Sequence, residues 1–267
     1  MKIAIAMIVK NEEKFIQGCL DSLIGRVDEI CIINTRNTDR TFDIIDSYES
    51  PNIHWKFSDT EFYSFAQSRY DSLCFAERWR PDWIIILDAD ERAHFGNLRR
   101  FLECYENNKK IGAFQVQIIN PSKQFFSKDY VFESDYIRII RAGKGIRYTR
   151  PVHETIIPSL MANGLKFEQI PPSIFLIVHL GYDYDEITFY EKLKRNMDLM
   201  EPYLRENPHD TNMWYLAGNQ YRAMGMKDLA YGAYAKALEV VSLEQPLTEV
   251  QHARIMRFRS VYKKEKL

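Results

Sequence analysis

The chain has 267 residues, a formal net charge of −1, 46% hydrophobic residues and 27% charged residues. This length accommodates one large domain, or one medium and one small domain. The near-zero charge gives no general electrostatic attraction to nucleic acid, so we expect no nucleic-acid partner. The opening apolar run is short, and no later segment reaches the roughly 18 apolar residues that a spanning helix requires. We therefore expect no signal peptide and no transmembrane segment.

The first hundred residues alternate apolar runs with segments of helical spacing. The apolar runs predict four strands: Ile3–Val9, Glu29–Ile33, Asn52–Phe57 and Trp83–Leu87. The segments between them predict three helices, the second with Thr38 as its N-cap: Asn11–Leu23, Asp39–Tyr48 and Phe62–Arg78. This alternation predicts an α/β fold with a mostly parallel, open sheet and helices on both faces.

Ligands of open α/β sheets bind at the carboxyl ends of the strands. Four segments are expected at that edge, and all are polar: Lys10–Glu12, Asn34–Asp39, Asp59–Arg69 and Asp88–Glu91. A sheet with only a structural role has no need for so many charges at one edge. We therefore expect the functional site there.

The pattern changes after about residue 110. Three further strands are predicted without long helices between them: Gly112–Ile119, Tyr130–Ile140 and Ile174–Val178. They indicate a mixed-sheet region that completes the site. From residue 183 the pattern is helical to the end, so we place one domain at 1–182 and a second at 183–267.

The helical domain contains one unit with the spacing of a tetratricopeptide repeat, about 34 residues long. Its large and small positions are Trp214, Tyr215, Gly218, Tyr221, Gly225, Ala230, Tyr234 and Ala237. A single unit cannot bury its own faces, so we expect the helices at 187–206 and 247–264 to cover it. The unit suggests a protein partner or a peptide acceptor, or else a structural support.

An acidic run follows the fourth predicted strand, with Asp88, Asp90 and Glu91 close together. Carboxylates at such an exit are poorly solvated unless they meet a cation, and oxygens at an i, i+2 spacing suit a hard divalent ion. That ion would bridge two phosphates and neutralise the charge of a departing diphosphate. The alternative is that Asp88 or Asp90 caps a helix in segment 96–105.

Six runs follow one another along the chain: Met7–Glu13, Val27–Ile30, Asn37–Thr41, Leu87–Glu91, Val152–Glu154 and His179–Tyr182. Together they resemble the family 2 glycosyltransferases of the GT-A fold, in a subgroup that often carries a trailing tetratricopeptide segment. The resemblance covers nearly the whole chain. It implies inverting transfer from a UDP- or GDP-linked sugar to a glycan, a lipid-linked molecule or a peptide, assisted by Mn²⁺ or Mg²⁺.

The resemblance implies a metal site at Asp90, with Asp88 on the donor ribose or on the metal through water. Ala89, between them, is expected at the nucleotide sugar. His179 matches a late histidine of the family that approaches the metal or the diphosphate. The alternative for His179 is a buried histidine that closes the preceding strand.

Glu154 matches the catalytic base of the family, which takes the acceptor proton as the sugar carbon is attacked. The alternative is a surface salt bridge of Glu154 with Arg147 or Arg150. Arg69 matches an arginine of the third helix that faces the nucleotide, and its alternative is a solvated helix charge.

Val9 and Glu12, at and just beyond the end of the first strand, are expected to contact the nucleotide. Glu12 alternatively favours the N-terminus of the first helix. Asn34 departs from the family, which has an aspartate there that accepts a hydrogen bond from uracil. Asn34 accepts only through an uncharged amide oxygen, so either donor affinity is lower or the base is not uracil.

Two peripheral features have open interpretations. Aromatic residues in the middle of the chain form either an acceptor platform or core packing: Phe125, Phe126, Tyr130, Phe132 and Tyr136. Basic residues near the C-terminus either cap the repeat or make a peripheral contact at the inner face of an anionic membrane: Arg254, Arg257, Arg259, Lys263, Lys264 and Lys266. The four cysteines form no CxxC pair, so we expect reduced thiols and a cytoplasmic protein.

The leading hypothesis is a metal-dependent glycosyltransferase. A second hypothesis is a catalytically decayed nucleotide-sugar-binding protein, or a scaffold that binds proteins through the repeat. Asn34 favours this second hypothesis, whereas retention of Asp88, Asp90, Glu154 and His179 opposes it. A nucleotidyltransferase would also use paired carboxylates and a metal, but the opening run lacks a glycine-rich, basic phosphate loop.

Overall fold

The computed structural model describes residues 1–58, 64–121, 131–181, 186–241 and 247–265. The chain divides into two compact units, Met1–Asp183 and Tyr184–Leu267. The sequence places the division one residue earlier, after residue 182. The predicted helix start at Phe62 and the aromatic residues 125–130 lie outside the described residues.

The first unit contains nine strands and five helices among its described residues. The strands are β1 (Ile3–Val9), β2 (Glu29–Asn34), β3 (Ile53–Phe57), β4 (Trp83–Ile86), β5 (Glu91–Phe95), β6 (Ile111–Pro121), β7 (Val131–Arg141), β8 (Lys166–Gln169) and β9 (Phe175–His179). The helices are α1 (Ile16–Leu23), α2 (Thr41–Asp46), α3 (Phe65–Glu77), α4 (Leu98–Glu103) and α5 (Ile157–Ala162).

All nine strands belong to one mixed sheet, ordered β3-β2-β1-β4-β7-β6-β9-β5, with β8 paired to β6. The first four strands in this order, β3, β2, β1 and β4, run parallel to one another. The sheet then reverses, because β7 runs antiparallel to both β4 and β6. The prediction of a parallel first half followed by a mixed region is confirmed.

The central strands are apolar throughout because both faces of the sheet are covered. Along β1, Ile3, Ile5, Met7 and Val9 join a large core with α1. On the opposite face, the small side chains of Ala4 and Ala6 join a second core with residues of α3, and α3 packs on β1 and β2. This two-sided burial explains why the strands read as near-continuous apolar runs.

The predicted N-cap of α2 is wrong. The helix begins at Thr41, and its N-cap residue Arg40 makes no side-chain capping bond. Thr38 instead pairs across the loops with Asn11, whose Nδ2 lies 3.1 Å from the Thr38 hydroxyl. The Thr41 amide, at the start of α2, donates to Asp39 Oδ1 and not to Thr38. A contact between two loops far apart in sequence therefore takes the hydroxyl that local spacing assigned to the helix.

Three elements have no counterpart in the sequence prediction: β5, β8 and α5. The strand β5 begins within the acidic run and carries Arg92 and His94, so it lacks an apolar signature. All four residues of β8 are exposed. These strands exist because they extend the sheet beside β9 and β6, which local patterning does not reveal.

The second unit contains four helices among its described residues: α6 (Glu186–Glu206), α7 (Thr211–Ala223), α8 (Lys227–Glu239) and α9 (Glu249–Glu265). The helices α7 and α8 form the predicted helical pair, and α6 packs on α7 while α9 packs on α8. The core shared by α7, α8 and α9 comprises Tyr215, Ala230, Tyr234, Ala237 and Ile255. In the described part of the chain, none of the helices has the length and apolar character needed to cross a bilayer.

The close approach of α7 and α8 depends on Gly218. A Cβ atom at this position would collide with the ring of Tyr234, so the small residue of the repeat spacing makes room for the large one. The Tyr234 hydroxyl then donates to Asn219 Oδ1 at 2.7 Å, which fixes the ring.

We predict that Gly218→Ala destabilises the helical unit by about 1–3 kcal/mol, because the added methyl overpacks the contact with Tyr234. Gly232 is the matched control, since it lies in α8 and a methyl added there would meet no atom within 4 Å. Gly232→Ala should stabilise by roughly 0.5–1 kcal/mol through helix propensity alone. Urea unfolding followed by circular dichroism measures both. Equal effects of the two substitutions would contradict the packing argument.

Candidate functional site

A tight turn follows β4 and presents the acidic run. The amide of Asp88 donates to Glu91 Oε2 at 2.8 Å, and the amide of Glu91 donates to the carbonyl of Asp88 at 3.1 Å. Glu91, which begins β5, is only 1% exposed. Its carboxylate therefore stabilises the turn from inside. The alternative that Asp88 or Asp90 caps a helix in segment 96–105 is wrong, because the N-cap residue of α4 is Asn97.

Both carboxylate oxygens of Asp88 are held by arginines. Nη2 of Arg69 lies 2.6 Å from Oδ1, and Nη2 of Arg138 lies 3.3 Å from Oδ2. The same Arg138 nitrogen lies 2.8 Å from Glu91 Oε1. Asp88 thus joins two guanidinium groups and is not an open metal ligand in this conformation.

Arg69 reaches the site from the second turn of α3. This helix is capped by Ser64, whose hydroxyl accepts from the Gln67 amide. Its first amide, of Phe65, donates to the carbonyl of Pro151 at 2.9 Å. Arg69 is a buried residue, so its alternative as a solvated helix charge is wrong. Its Nη1 atom is buried and has no hydrogen-bond partner among the described residues.

Glu154 is brought to Arg69 by a short closed loop. The amides and carbonyls of Thr149 and Thr155 pair in both directions, at 2.9 and 3.1 Å. The Arg69 Nε atom lies 3.2 Å from Glu154 Oε1. Glu154 is therefore part of the arginine-centred charge network, whereas its alternative was a surface pair with Arg147 or Arg150.

Arg138 is the extra residue of a β-bulge. Along β6, Phe114 pairs with Ile139 and the next residue, Gln115, pairs with Ile137. Arg138 between them has no register partner on β6, and its side chain is 13% exposed. Bulges re-aim side chains in this way and are frequent beside active sites.

Asp90 and His179 form a second pair, at the ends of the β4 turn and of β9. His179 Nε2 lies 3.0 Å from Asp90 Oδ2, and His179 Nδ1 lies 3.0 Å from Asn120 Oδ1. The Leu180 amide donates to the Asp90 carbonyl at 2.8 Å. A Cβ at Gly181 would collide with the Asp90 carboxylate, so the backbone closes tightly over this pair.

Burial and charge shift the ionisation of these groups. Burial raises the pKa of Asp88, but the Arg69 and Arg138 guanidiniums outweigh burial and hold this pKa well below its usual range. Burial also raises the pKa of Glu91, an effect only partly offset by Arg138. Burial lowers the pKa of His179, whereas the hydrogen bond to Asp90 raises it and prevails. The two arginines therefore favour the ionised form of Asp88.

The predicted base-binding residues form a separate group at the carboxyl ends of β1 and β2. Val9 and Asn34 are register partners, and the Val9 carbonyl accepts from the Thr35 amide and hydroxyl. The Glu12 amide donates to the Thr41 hydroxyl at 2.7 Å, and its carbonyl accepts from the first amides of α1. These contacts join the β1–α1 loop to the β2–α2 loop.

The orientation of the Asn34 amide is set by its surroundings. The Asn37 backbone amide, which can only donate, lies 3.1 Å from Asn34 Oδ1. Asn34 Nδ2 is buried and has no hydrogen-bond partner in the part of the chain described. The Asn34 side chain therefore offers a ligand its Nδ2 N–H donor, whereas an aspartate would offer an acceptor oxygen.

The sequence located five residues of the site, among them Arg69 with its partner Asp88 and Asp90 with its partner His179. The arginine-centred network contains Arg69, Asp88 and Glu154. The second pair consists of Asp90 and His179. Arg138 and Asn120 were missed, and the available signal was a charged or amide residue inside an apolar strand pattern. Ala89 is buried within the core. Within the described ranges, no cluster of three or more His, Cys, Asp or Glu residues is arranged to hold a metal ion.

Comparisons with known proteins bear on the family and the fold of the chain. The family model "Glycosyl transferase family 2" matches residues 4–162. The chain is 27% identical over 248 residues to the SPbeta prophage-derived glycosyltransferase SunS of Bacillus subtilis, covering 88% of this chain and 53% of SunS. It is 26% identical over 216 residues to a TPR repeat-containing protein of Synechococcus elongatus, covering 78% of this chain and 49% of that protein. The chain thus spans about half the length of these curated relatives.

Solved structures share the fold at low sequence identity. The mannosyltransferase PcManGT from Pyrobaculum calidifontis, in complex with GDP-Man and Mn²⁺, aligns with a TM-score of 0.53 and 13% identity over 97% of this chain and 80% of PcManGT. Residues 1–349 of S. aureus TarS in complex with UDP align with a TM-score of 0.51 and 13% identity, over 90% of this chain and 89% of that structure. The predicted GT-A architecture is confirmed.

We predict that Arg69→Met destabilises the first unit by about 3–5 kcal/mol, because it leaves the largely buried Asp88 and Glu154 carboxylates without this counter-charge. Arg78→Met is the matched control, since Arg78 lies at the other end of α3 and is exposed. Its effect should stay within about 0.5 kcal/mol. Chemical denaturation measures both values. An Arg69→Met protein as stable as Arg78→Met would show that the network contributes little to folding.

Proposed function

The chain belongs to glycosyl transferase family 2, and on that premise we propose that it is an inverting glycosyltransferase. The donor is a nucleoside-diphosphate sugar, and the reaction is assisted by Mn²⁺ or Mg²⁺. The observation that carries the proposal is the Asp90–His179 pair beside a buried arginine network, at the edge where parallel strands end.

The donor set at Asp90 and His179 fits a divalent cation. A carboxylate oxygen and an imidazole nitrogen 3.0 Å apart can both reach one ion, and Mn²⁺ accepts such mixed ligands. Asn120 orients the other imidazole nitrogen, as outer partners of metal-bound histidines do. Two protein ligands leave the remaining positions to diphosphate oxygens and water. A bound cation would supply positive charge that stabilises the departing diphosphate.

The arginine network supports the same step from the protein side. Arg69 and Arg138 hold Asp88 and Glu91, so the acidic turn stays in one place although its charges are withdrawn from solvent. Nη1 of Arg69 has no hydrogen-bond partner among the described residues, so it is a further N–H donor for a ligand oxygen or water. Such preorganised donors stabilise developing negative charge more effectively than solvent does.

Glu154 is the proposed catalytic base. As the acceptor oxygen bonds to the anomeric carbon, the bond from that carbon to the diphosphate oxygen breaks, and the acceptor proton passes to Glu154. A single base is sufficient because the leaving group departs as an anion. Arg69 fixes the Glu154 carboxylate through Oε1, which supports an oriented base over a mobile surface carboxylate.

The acceptor class is proposed as a glycan, a lipid-linked molecule or a peptide. Similarity to the glycosyltransferase SunS and to a TPR repeat-containing protein supports a transferase that carries a helical repeat. The α7–α8 pair is the proposed surface for a protein partner or peptide acceptor. The Asp88-centred network is intact, which opposes a decayed, non-catalytic protein.

We predict that sugar nucleotides raise the melting temperature of the protein only when Mn²⁺ or Mg²⁺ is present, because donor and cation bind together. A panel of UDP-glucose, UDP-N-acetylglucosamine and GDP-mannose tests donor binding, and slow metal-dependent release of the nucleoside diphosphate tests turnover. Asp90→Asn should remove both signals. Glu154→Gln should retain donor binding but lose about 10²–10⁴-fold in turnover. Glu106→Gln, an exposed carboxylate, is the control. Donor binding without any metal dependence would overturn the cation proposal.

We predict that Asn34→Asp raises UDP affinity about five- to tenfold relative to other nucleoside diphosphates, because a charged acceptor replaces an N–H donor beside the base. Isothermal titration with UDP, CDP and GDP in the presence of Mn²⁺ measures the ratio. Asn37→Asp, in the same loop, is the comparison. An unchanged UDP preference would place the base away from Asn34.

A further inference from the structure

We infer that Arg138 is a positioning residue of the transfer site, which fixes the Asp88–Glu91 turn and thereby the location of the Asp90 carboxylate. The inference rests on the proposed function. Arg138 itself contacts Asp88 and Glu91, and the described contacts give it no direct role on the Asp90–His179 pair.

The bulge in β7 directs Arg138 toward the acidic turn. A regular ladder would place residue 138 opposite β6, but the pairs Phe114–Ile139 and Gln115–Ile137 leave it unmatched. An antiparallel strand interrupted by a bulge loses ladder hydrogen bonds and gains a local bend. Here the bend places a guanidinium where β4 ends, since Ile139 is the register partner of Ile85.

A chain of contacts runs from Arg138 to the main chain of the turn. Arg138 Nη2 holds Glu91 Oε1 at 2.8 Å, and the other oxygen of Glu91 accepts from the Asp88 amide at 2.8 Å. Arg138 therefore restrains the turn through the Glu91 carboxylate. Glu91 is buried, so without Arg138 its negative charge would lose its partner in a poorly solvated place.

The position of Asp90 follows from the position of this turn. Asp90 lies between the two residues that Arg138 holds, and its carboxylate fits under Gly181 without room to spare. His179, its partner at 3.0 Å, is also the register partner of Glu91 across β5 and β9. A turn that relaxes by a fraction of an ångström would therefore separate the two side chains proposed to bind the cation.

Arg141 is the matched control for Arg138. It lies three residues further along β7 and is also buried, but its guanidinium donates to the carbonyls of Tyr105, Asn108 and Ile111 and stacks over Trp83. Its loss should destabilise the sheet without touching the turn. If losing any buried arginine of β7 lowers Mn²⁺ affinity merely by destabilising the protein, the Arg138→Met and Arg141→Met variants will both show that loss.

The experiment measures Mn²⁺ affinity by electron paramagnetic resonance, with UDP or GDP present, at temperatures where every variant is folded by circular dichroism. Arg138→Met should weaken Mn²⁺ binding about 10- to 100-fold, an effect as large as the loss of a hydrogen-bonding partner of a metal ligand, because the turn that carries Asp90 relaxes. Arg138→Lys should recover most of this loss, because one ammonium can reach both carboxylates. Arg141→Met should bind Mn²⁺ like the wild-type protein.

Glu91→Gln separates positioning from direct contact with the diphosphate. If Arg138 acts through Glu91, the effects of Arg138→Met and Glu91→Gln on Mn²⁺ affinity will not add in the double variant. Additive effects, or equal losses in the Arg138→Met and Arg141→Met proteins, would overturn the inference. If Arg138→Met does not fold, the Lys and Gln variants decide the same question. Failure of the wild-type protein to bind Mn²⁺ with any nucleotide would instead reject the proposed function.

Discussion

The site depends on the enclosure of Asp88 between two arginines. An isolated carboxylate in the protein interior is costly, and an isolated guanidinium is equally so. Here the guanidiniums of Arg69 and Arg138 offset much of the negative charge of Asp88, Glu91 and Glu154. The five members of this network come from four parts of the chain: α3, the turn after β4, β7 and the loop before α5. The network can therefore form only when the parallel and antiparallel halves of the sheet have joined, which links the integrity of the site to the completion of the fold.

This arrangement separates two tasks among acidic residues that are adjacent in sequence. Asp88 and Glu91 are matched by arginines, so they hold the turn in place. Asp90 lies between them and pairs with His179, at the position proposed for the cation. The turn makes this division, since the Glu91 amide donates to the Asp88 carbonyl and the Asp88 amide donates to the Glu91 carboxylate, which leaves Asp90 between them. The acidic run thus combines a structural anchor with a binding group.

The sequence predicted the features that depend on local pattern. Strands β1, β2 and β4 are buried on both faces, and their apolar runs identified them together with the polar edge at which they end. The acidic run was found because three carboxylates follow a buried strand, whereas the late histidine was found only through the resemblance to the family. Arg138 was not found, because its role depends on a register shift between β6 and β7 and on pairing with a strand some fifty residues earlier. Thr38 was misassigned for a related reason, since Asn11 of a distant loop takes its hydroxyl.

The bulge at Arg138 determines how β7 would respond to the deletion of one residue. Ile137 and Ile139 already pair with consecutive residues of β6, so both sides of the ladder are in register without residue 138. A shorter strand lacking that position would keep every neighbour it now has and would be more regular. The arginine is thus an insertion with respect to the pairing register of β6 and β7. A single lost codon would make this ladder regular, but it would also leave the buried Glu91 carboxylate without its arginine partner.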